Sequence, residues 1–144
     1  MTAQALRPQE QTCLTDIAVA QVRAAQQAVG RPAVRMIAGA GGSSLRSAVI
    51  GLAAGSCLDR YGRPGEATLQ VLSGRVRVTN GGVWCDLSPG DHLSLPQREH
   101  GLTALEDSAV LLTVDVGHPV PESVGGPRSQ DLGAGWLGQG RTPR

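Results

Sequence analysis

Residues 65–87 read GEATLQVLSGRVRVTNGGVWCDL. Ala67, Leu69 and Val71 alternate with Thr68 and Gln70, and a two-residue period is that of a half-buried β-strand. Gly74 then turns the chain into a second alternating run at 75–79. Asn80-Gly81-Gly82 has the composition of a tight hairpin and leads into a third run at 83–87.

Working outward, the same pattern recurs. Val34, Met36 and Ala38 alternate from Ala33 into the turn Gly39-Ala40-Gly41-Gly42, and further runs follow at 45–54, 92–95, 100–105 and 109–116. Ser88-Pro89-Gly90-Asp91 and Glu106-Asp107 separate them. Seven or eight short, closely spaced strands predict an all-β sandwich or barrel spanning 33–116. Leu69, Val71, Leu93, Leu95 and Leu112 are expected inside it, with His92 and Ser94 on the opposite face.

The N-terminal segment, 1–32, carries a different period. Leu14, Ala18, Val22, Ala25 and Val29 form one apolar stripe of a helix over about 15–30, capped by Thr15 or Asp16 and ended by Gly30 and Pro32. One such helix predicts an external cover for the β-structure, since a lone helix cannot make a helix-turn-helix. Residues 117–144 lose all periodicity and are rich in Gly and Pro, the composition of a flexible tail in which Trp136-Leu137 is the one apolar pair.

The 144 residues suit a single core, which must be filled by aliphatic side chains because the chain has no Phe, one Tyr and two Trp. A net charge of +1 with scattered arginines indicates neither a nucleic-acid stripe nor a membrane patch. Arg75 and Arg77 read as a solvated strand face without interleaved aromatics. No apolar run approaches a membrane span, and the N-terminus lacks a signal-peptide pattern, so a cytoplasmic location is expected. Cys13, Cys57 and Cys85 have no metal-type spacing and read as free thiols, with Cys85 directed to the core by its alternation with Val83 and Leu87.

Residues 55–116 resemble the cupin superfamily, whose jelly-roll barrel carries the motifs G-x5-H-x-H-x3-4-E-x6-G and G-x5-P-x-G-x2-H-x3-N. Gly55, Tyr61, Arg63, Ala67 and Gly74 reproduce the first spacing. Gly90, Pro96 and His100 follow the second with a loop one residue short, and Ala104 stands at its asparagine. The resemblance is to small single-domain bacterial cupins, and it implies an all-β jelly-roll barrel preceded by one helix. In the family, two or three His and one Glu hold a first-row metal; here the frame of glycines is kept and the ligand set is degenerate.

Strand parity tests each candidate. Tyr61, Arg63 and Ala67 share the inward parity that the motif sets, as does His100 with Leu102 and Ala104. Glu66 falls on the outer face, His92 at a rim, and His118 in the tail. Tyr61, Arg63 and His100 are therefore the expected lining of a ligand pocket. A phenol and a guanidinium there suit hydrogen bonding and anion attraction without a metal, although Arg63 could equally pair at the surface with Asp59 or Glu66. The reading that follows is a non-catalytic cupin that binds a small organic ligand or serves as a sensor or interaction module, without cofactor. Its alternative is a metal-dependent enzyme of dioxygenase or isomerase type, holding a first-row divalent metal through His100 and Tyr61. Leu72, on the parity opposite to the core, together with the frequent pairing of cupin barrels, predicts a homodimer through the outer sheet face.

Overall fold

The computed structural model of the protein describes residues 11–39, 43–58, 66–95 and 100–117. Among the described residues one helix, α1 (Leu14–Gln27), precedes nine strands: β1 (Ala33–Ala38), β2 (Leu45–Leu52), β3 (Cys57–Leu58), β4 (Ala67–Ser73), β5 (Val76–Asn80), β6 (Val83–Leu87), β7 (His92–Leu95), β8 (Gly101–Ala104) and β9 (Ser108–Asp115). They form a five-stranded sheet of order β1-β2-β9-β4-β7 and a four-stranded sheet of order β3-β8-β5-β6. Every pairing is antiparallel.

The expected parity is the parity observed. Leu69, Val71, Leu95 and Leu112 are buried between the sheets, Leu93 packs against them, and His92 and Ser94 face outward. Val76, Val78, Leu102 and Ala104 supply the opposing wall from the smaller sheet. A fully buried Leu or Val contributes about 1.5–3 kcal/mol, so this aliphatic interlayer is the main source of stability.

The two ends of the sandwich differ. At one end, short connections cross from sheet to sheet: Gly74 joins β4 to β5, and Leu105 to Asp107 join β8 to β9. Hydrogen bonds bind this end, with the Leu105 amide donating to the Arg75 carbonyl at 2.8 Å and the Gly55 amide to the Ala104 carbonyl at 2.8 Å. At the other end, called the mouth below, lie the start of β2, β4, β6 and β8 and the end of β5, β7 and β9.

α1 lies outside the strands and covers the outer face of the larger sheet. Ile17 and Ala18 are buried with Val49 and Ala109, while Leu14, Val22, Ile37, Leu72 and Leu111 pack around them. Leu72, expected to be an open dimer surface, is thus covered by the protein's own helix. The bulge between Val71 and Ser73, where β4 slips against β9, belongs to the same region.

Several local expectations are corrected. The helix begins at Leu14, so Thr15 and Asp16 lie in its first turn, and Cys13 is the N-cap without a side-chain hydrogen bond. It ends at Gln27. Val29 has φ 47° and is 87% exposed, because the chain has already left the helix before completing the stripe. Met36 is also exposed: it keeps register with Ala48 on the inner parity but stands on the edge strand β1, and a register shift follows between Met36 and Ala38. β3, only two residues long, was too short to leave a periodic signal.

Candidate functional site

Inward-facing polar residues stand at the mouth. His100 stands immediately before β8 on the parity of Leu102 and Ala104, and all three are buried, His100 at 2% exposure. Sequence parity located it correctly. Leu58 and Leu102, which pair across β3 and β8, belong to the aliphatic wall of the same sheet.

Ala67 opens β4 at the same end, opposite Leu95 on one side and Val114 on the other. It is buried and faces the interior, at the position where the resemblance puts the family's carboxylate. Glu66, one residue earlier, is exposed, and its carbonyl accepts the Asp115 amide at 2.9 Å. Tyr61, Arg63 and His118 lie outside the described residues. His92 is exposed at the far end of β7, across from Gln70.

One inward residue escaped the sequence reading. Arg46, the second residue of β2, stands opposite Val114, on the same face as Ala48, Ile50 and Leu52, which are all buried. Its Nη1 donates to the Gly39 carbonyl across the β1–β2 ladder. The alternation of 46, 48, 50 and 52 carried the signal, but a charged residue heading an apolar run reads naturally as a strand terminus.

Cys85 corrects a second expectation. It does sit on the inner face, opposite Val78, yet it is exposed. β6 is an edge strand, and Val83 and Cys85 stand at its mouth end, where Val83 is 73% exposed. Inward parity is burial only where another layer covers the position. All three thiols, Cys13, Cys57 and Cys85, are free and exposed.

The outer face of the smaller sheet carries a cross-strand cluster. Arg77 donates from Nε to Asp86 Oδ1 at 2.7 Å and from Nη2 to Oδ2 at 3.1 Å, and its guanidinium lies 4.1 Å from the centre of the Trp84 ring. Arg75 approaches Asp86 at 3.6 Å. The Arg77 hydrogen bonds hold the Asp86 carboxyl below its ordinary range, with the nearby positive charges adding to the effect. The two arginines are therefore paired, and an aromatic does stack on one of them, from the neighbouring strand.

A cupin metal needs several nitrogen or oxygen donors on one inner face. Among the described residues no group of three or more His, Cys, Asp and Glu could hold such an ion. His100 offers one donor and Ala67 none, so the described part of the mouth does not fit the family's metal.

Two facing antiparallel sheets in this strand order are the architecture of the cupin class of fold. Solved structures agree. An RmlC-like cupin protein from Desulfovibrio desulfuricans aligns at 22% identity and TM-score 0.54, covering 60% of this chain and 83% of its own. The cupin domain of an XRE family transcriptional regulator from Enterobacter cloacae aligns at 14% identity and TM-score 0.53, covering 60% and 98%. A salicylate 1,2-dioxygenase variant from Pseudoaminobacter salicylatoxidans, in complex with gentisate, aligns at 22% identity and TM-score 0.61, covering 78% of this chain but 34% of its own. A scan of protein-family models finds no match, and neither does a search of curated proteins. The chain has the cupin fold, and one fold of this kind hosts many activities. No helix among the described residues is long and apolar enough to cross a membrane.

Proposed function

We propose that the protein is a cupin-fold binding module, which takes a small organic ligand in the mouth of the sandwich and performs no metal-dependent catalysis. The observation that carries this reading is Ala67, buried and inward where the family motif calls for a carboxylate. A methyl group there leaves an apolar wall suited to a ligand's hydrocarbon part, and His100 supplies a hydrogen-bonding group beside it. Tyr61 and Arg63 complete the proposed lining from the motif spacing. That a cupin domain of this fold is part of the Enterobacter transcriptional regulator supports the sensor or interaction-module form of this reading.

The proposal includes a cytoplasmic location and a homodimer. With Leu72 covered by α1, the pairing surface is assigned instead to the edge strand β6, where Val83 and Trp84 are exposed.

Elemental analysis with native mass spectrometry of the purified protein tests the metal, ligand and dimer readings together. The expected result is a dimer without stoichiometric metal, with a retained small molecule or capacity for one. Stoichiometric iron, manganese, nickel or zinc that disappears in His100→Ala would overturn the reading in favour of a metal-dependent enzyme using His100 and Tyr61.

A further inference from the structure

Resting on the β6 pairing surface proposed above, we infer its occupant and its register: a second copy of this chain lays its own β6 antiparallel along β6, with Cys85 opposite the partner's Cys85, so that the two smaller sheets run on as one. Among the described residues four strands stand at sheet edges. β3 has two residues, β7 has four, and β1 carries the register shift after Met36. β6 runs five residues in unbroken register with β5, and Val83, Trp84 and Cys85 are exposed on it. Its one charge, Asp86, is already paired with Arg77. A bulge, a proline or an unpaired charge is what keeps natural edges apart, and β6 contains none of them. The strand and both its chain neighbours, β5 and β7, lie wholly within the described 66–95.

The β5–β6 hairpin fixes which backbone groups face the open side. Gly81, at φ 66°, and Gly82 make a two-residue turn closed by Asn80 and Val83. The closing pair of such a turn exchanges hydrogen bonds, and alternation then directs Val83, Cys85 and Leu87 towards β5. β5 agrees, because the Arg75 carbonyl accepts the Leu105 amide on its other side, leaving Val76, Val78 and Asn80 to face β6. The amides and carbonyls of Trp84 and Asp86 therefore point away from the sheet.

Two identical strands pair antiparallel about a two-fold axis perpendicular to the sheet, which keeps inner face beside inner face. Centred on Cys85, that axis sets Trp84 opposite the partner's Asp86, and each such pair exchanges two hydrogen bonds. On the inner face Val83 meets the partner's Leu87. The two Cys85 make the central pair, whose Cα atoms in a non-hydrogen-bonded position stand about 4.5 Å apart, within the span of a disulfide. On the outer face the two Trp84 become diagonal neighbours at roughly 7–8 Å, within reach for aromatic rings. Centring on Asp86 would oppose two carboxylates, and centring on Trp84 would set Asp86 and Leu87 against the partner's Gly82 and Gly81. The strand is thus complementary to itself in one register, which is why the occupant is a second copy.

Single-cysteine forms of the full chain, treated with oxidised glutathione, test this. One thiolate opens the glutathione disulfide and releases one glutathione, and the partner's thiolate displaces the second, so two thiols and one disulfide become one cystine and two glutathione thiols. The form that keeps Cys85 (Cys13→Ser with Cys57→Ser) is expected to cross-link at least about tenfold faster than the form that keeps Cys57, since pairing raises the effective concentration of one thiol at the other. Trp84→Cys in a chain without other cysteines should cross-link slowly. Val83→Lys, at an exposed position, should remove the Cys85 advantage and the dimer seen by sedimentation while leaving the circular dichroism unchanged.

Faster cross-linking through Trp84→Cys than through Cys85 overturns the register and leaves the β6 surface standing. A dimer that survives Val83→Lys, with Cys85 no faster than Cys57, overturns the β6 surface as well and places the pairing elsewhere. A monomer at every concentration removes the dimer reading and this inference with it.

Discussion

Gly51 in β2 lies directly beneath Gln21 of α1: a Cβ added at Gly51 would come within 2.1 Å of the Gln21 carbonyl oxygen and 2.9 Å of the Val22 nitrogen. The helix reaches the sheet only because this position has no side chain. Gly51→Ala must push α1 outward, and the expected cost is about 1–3 kcal/mol, as for overpacked cores. Urea denaturation measures it. Gly82→Ala, where an added Cβ meets nothing within 4 Å, is the control and should lie close to the parent.

The arch between the sheets depends on Ser108, which is fully buried. Its hydroxyl accepts from the Arg75 amide at 3.0 Å and lies within donating distance of the carbonyls of Glu106, at 2.7 Å, and Arg75, at 3.1 Å. Ser108→Ala leaves the Arg75 amide without this acceptor, and a loss of about 1–3 kcal/mol is expected. A change in the denaturation midpoint without a change in slope would confirm that the cost is local to the folded state.

Asp107 gives the fold an acid-sensitive tie. Its Oδ1 accepts the Ala54 amide and its Oδ2 the Gln26 side-chain amide, each at 2.8 Å, so one carboxylate joins α1 to the β2–β3 connection. The Ala54 bond first, and the Gln26 bond second, lower its pKa from the ordinary value. A carboxylate with a depressed folded pKa contributes stability that is complete above its unfolded pKa and is lost as pH falls through the folded one. Stability measured from neutral pH downward should therefore decline below the ordinary carboxylate range, and Asp107→Asn should show a shallower decline.

The thiols offer a test of edge exposure. Cys13, Cys57 and Cys85 are all exposed, although Cys85 points to the interior side of its sheet. Titration of the dilute native protein with a thiol reagent should consume three equivalents without denaturant. Slower reaction of Cys85 alone at concentrations where the dimer forms would mark the β6 edge as the pairing surface, and an unchanged rate there would count against it.

Much of the fold was legible in residues 33–116 because strand alternation is a local property. Once Ala67, Leu69 and Val71 share a face, antiparallel pairing carries that parity to Leu93, Leu95 and Leu112. The same reasoning put His100 inside and His92 outside. At the site, however, parity reached only the positions that an inherited spacing had already marked, and Tyr61 and Arg63 lie outside the described residues.

What the chain alone determined was its period: one helix, alternating strands, and the turns of Asn80-Gly81-Gly82 and Ser88-Pro89-Gly90-Asp91 between them. Cover was decided by tertiary structure, because it depends on which distant element lies above a face. Leu72 and Cys85 show both directions of that dependence. Leu72 points outward and is covered by α1, whose approach Gly51 permits. Cys85 points inward and is exposed, because β6 is the last strand of its sheet. Arg46 likewise joined the inner-face row of the larger sheet, partly buried, when β9 placed Val114 beside it.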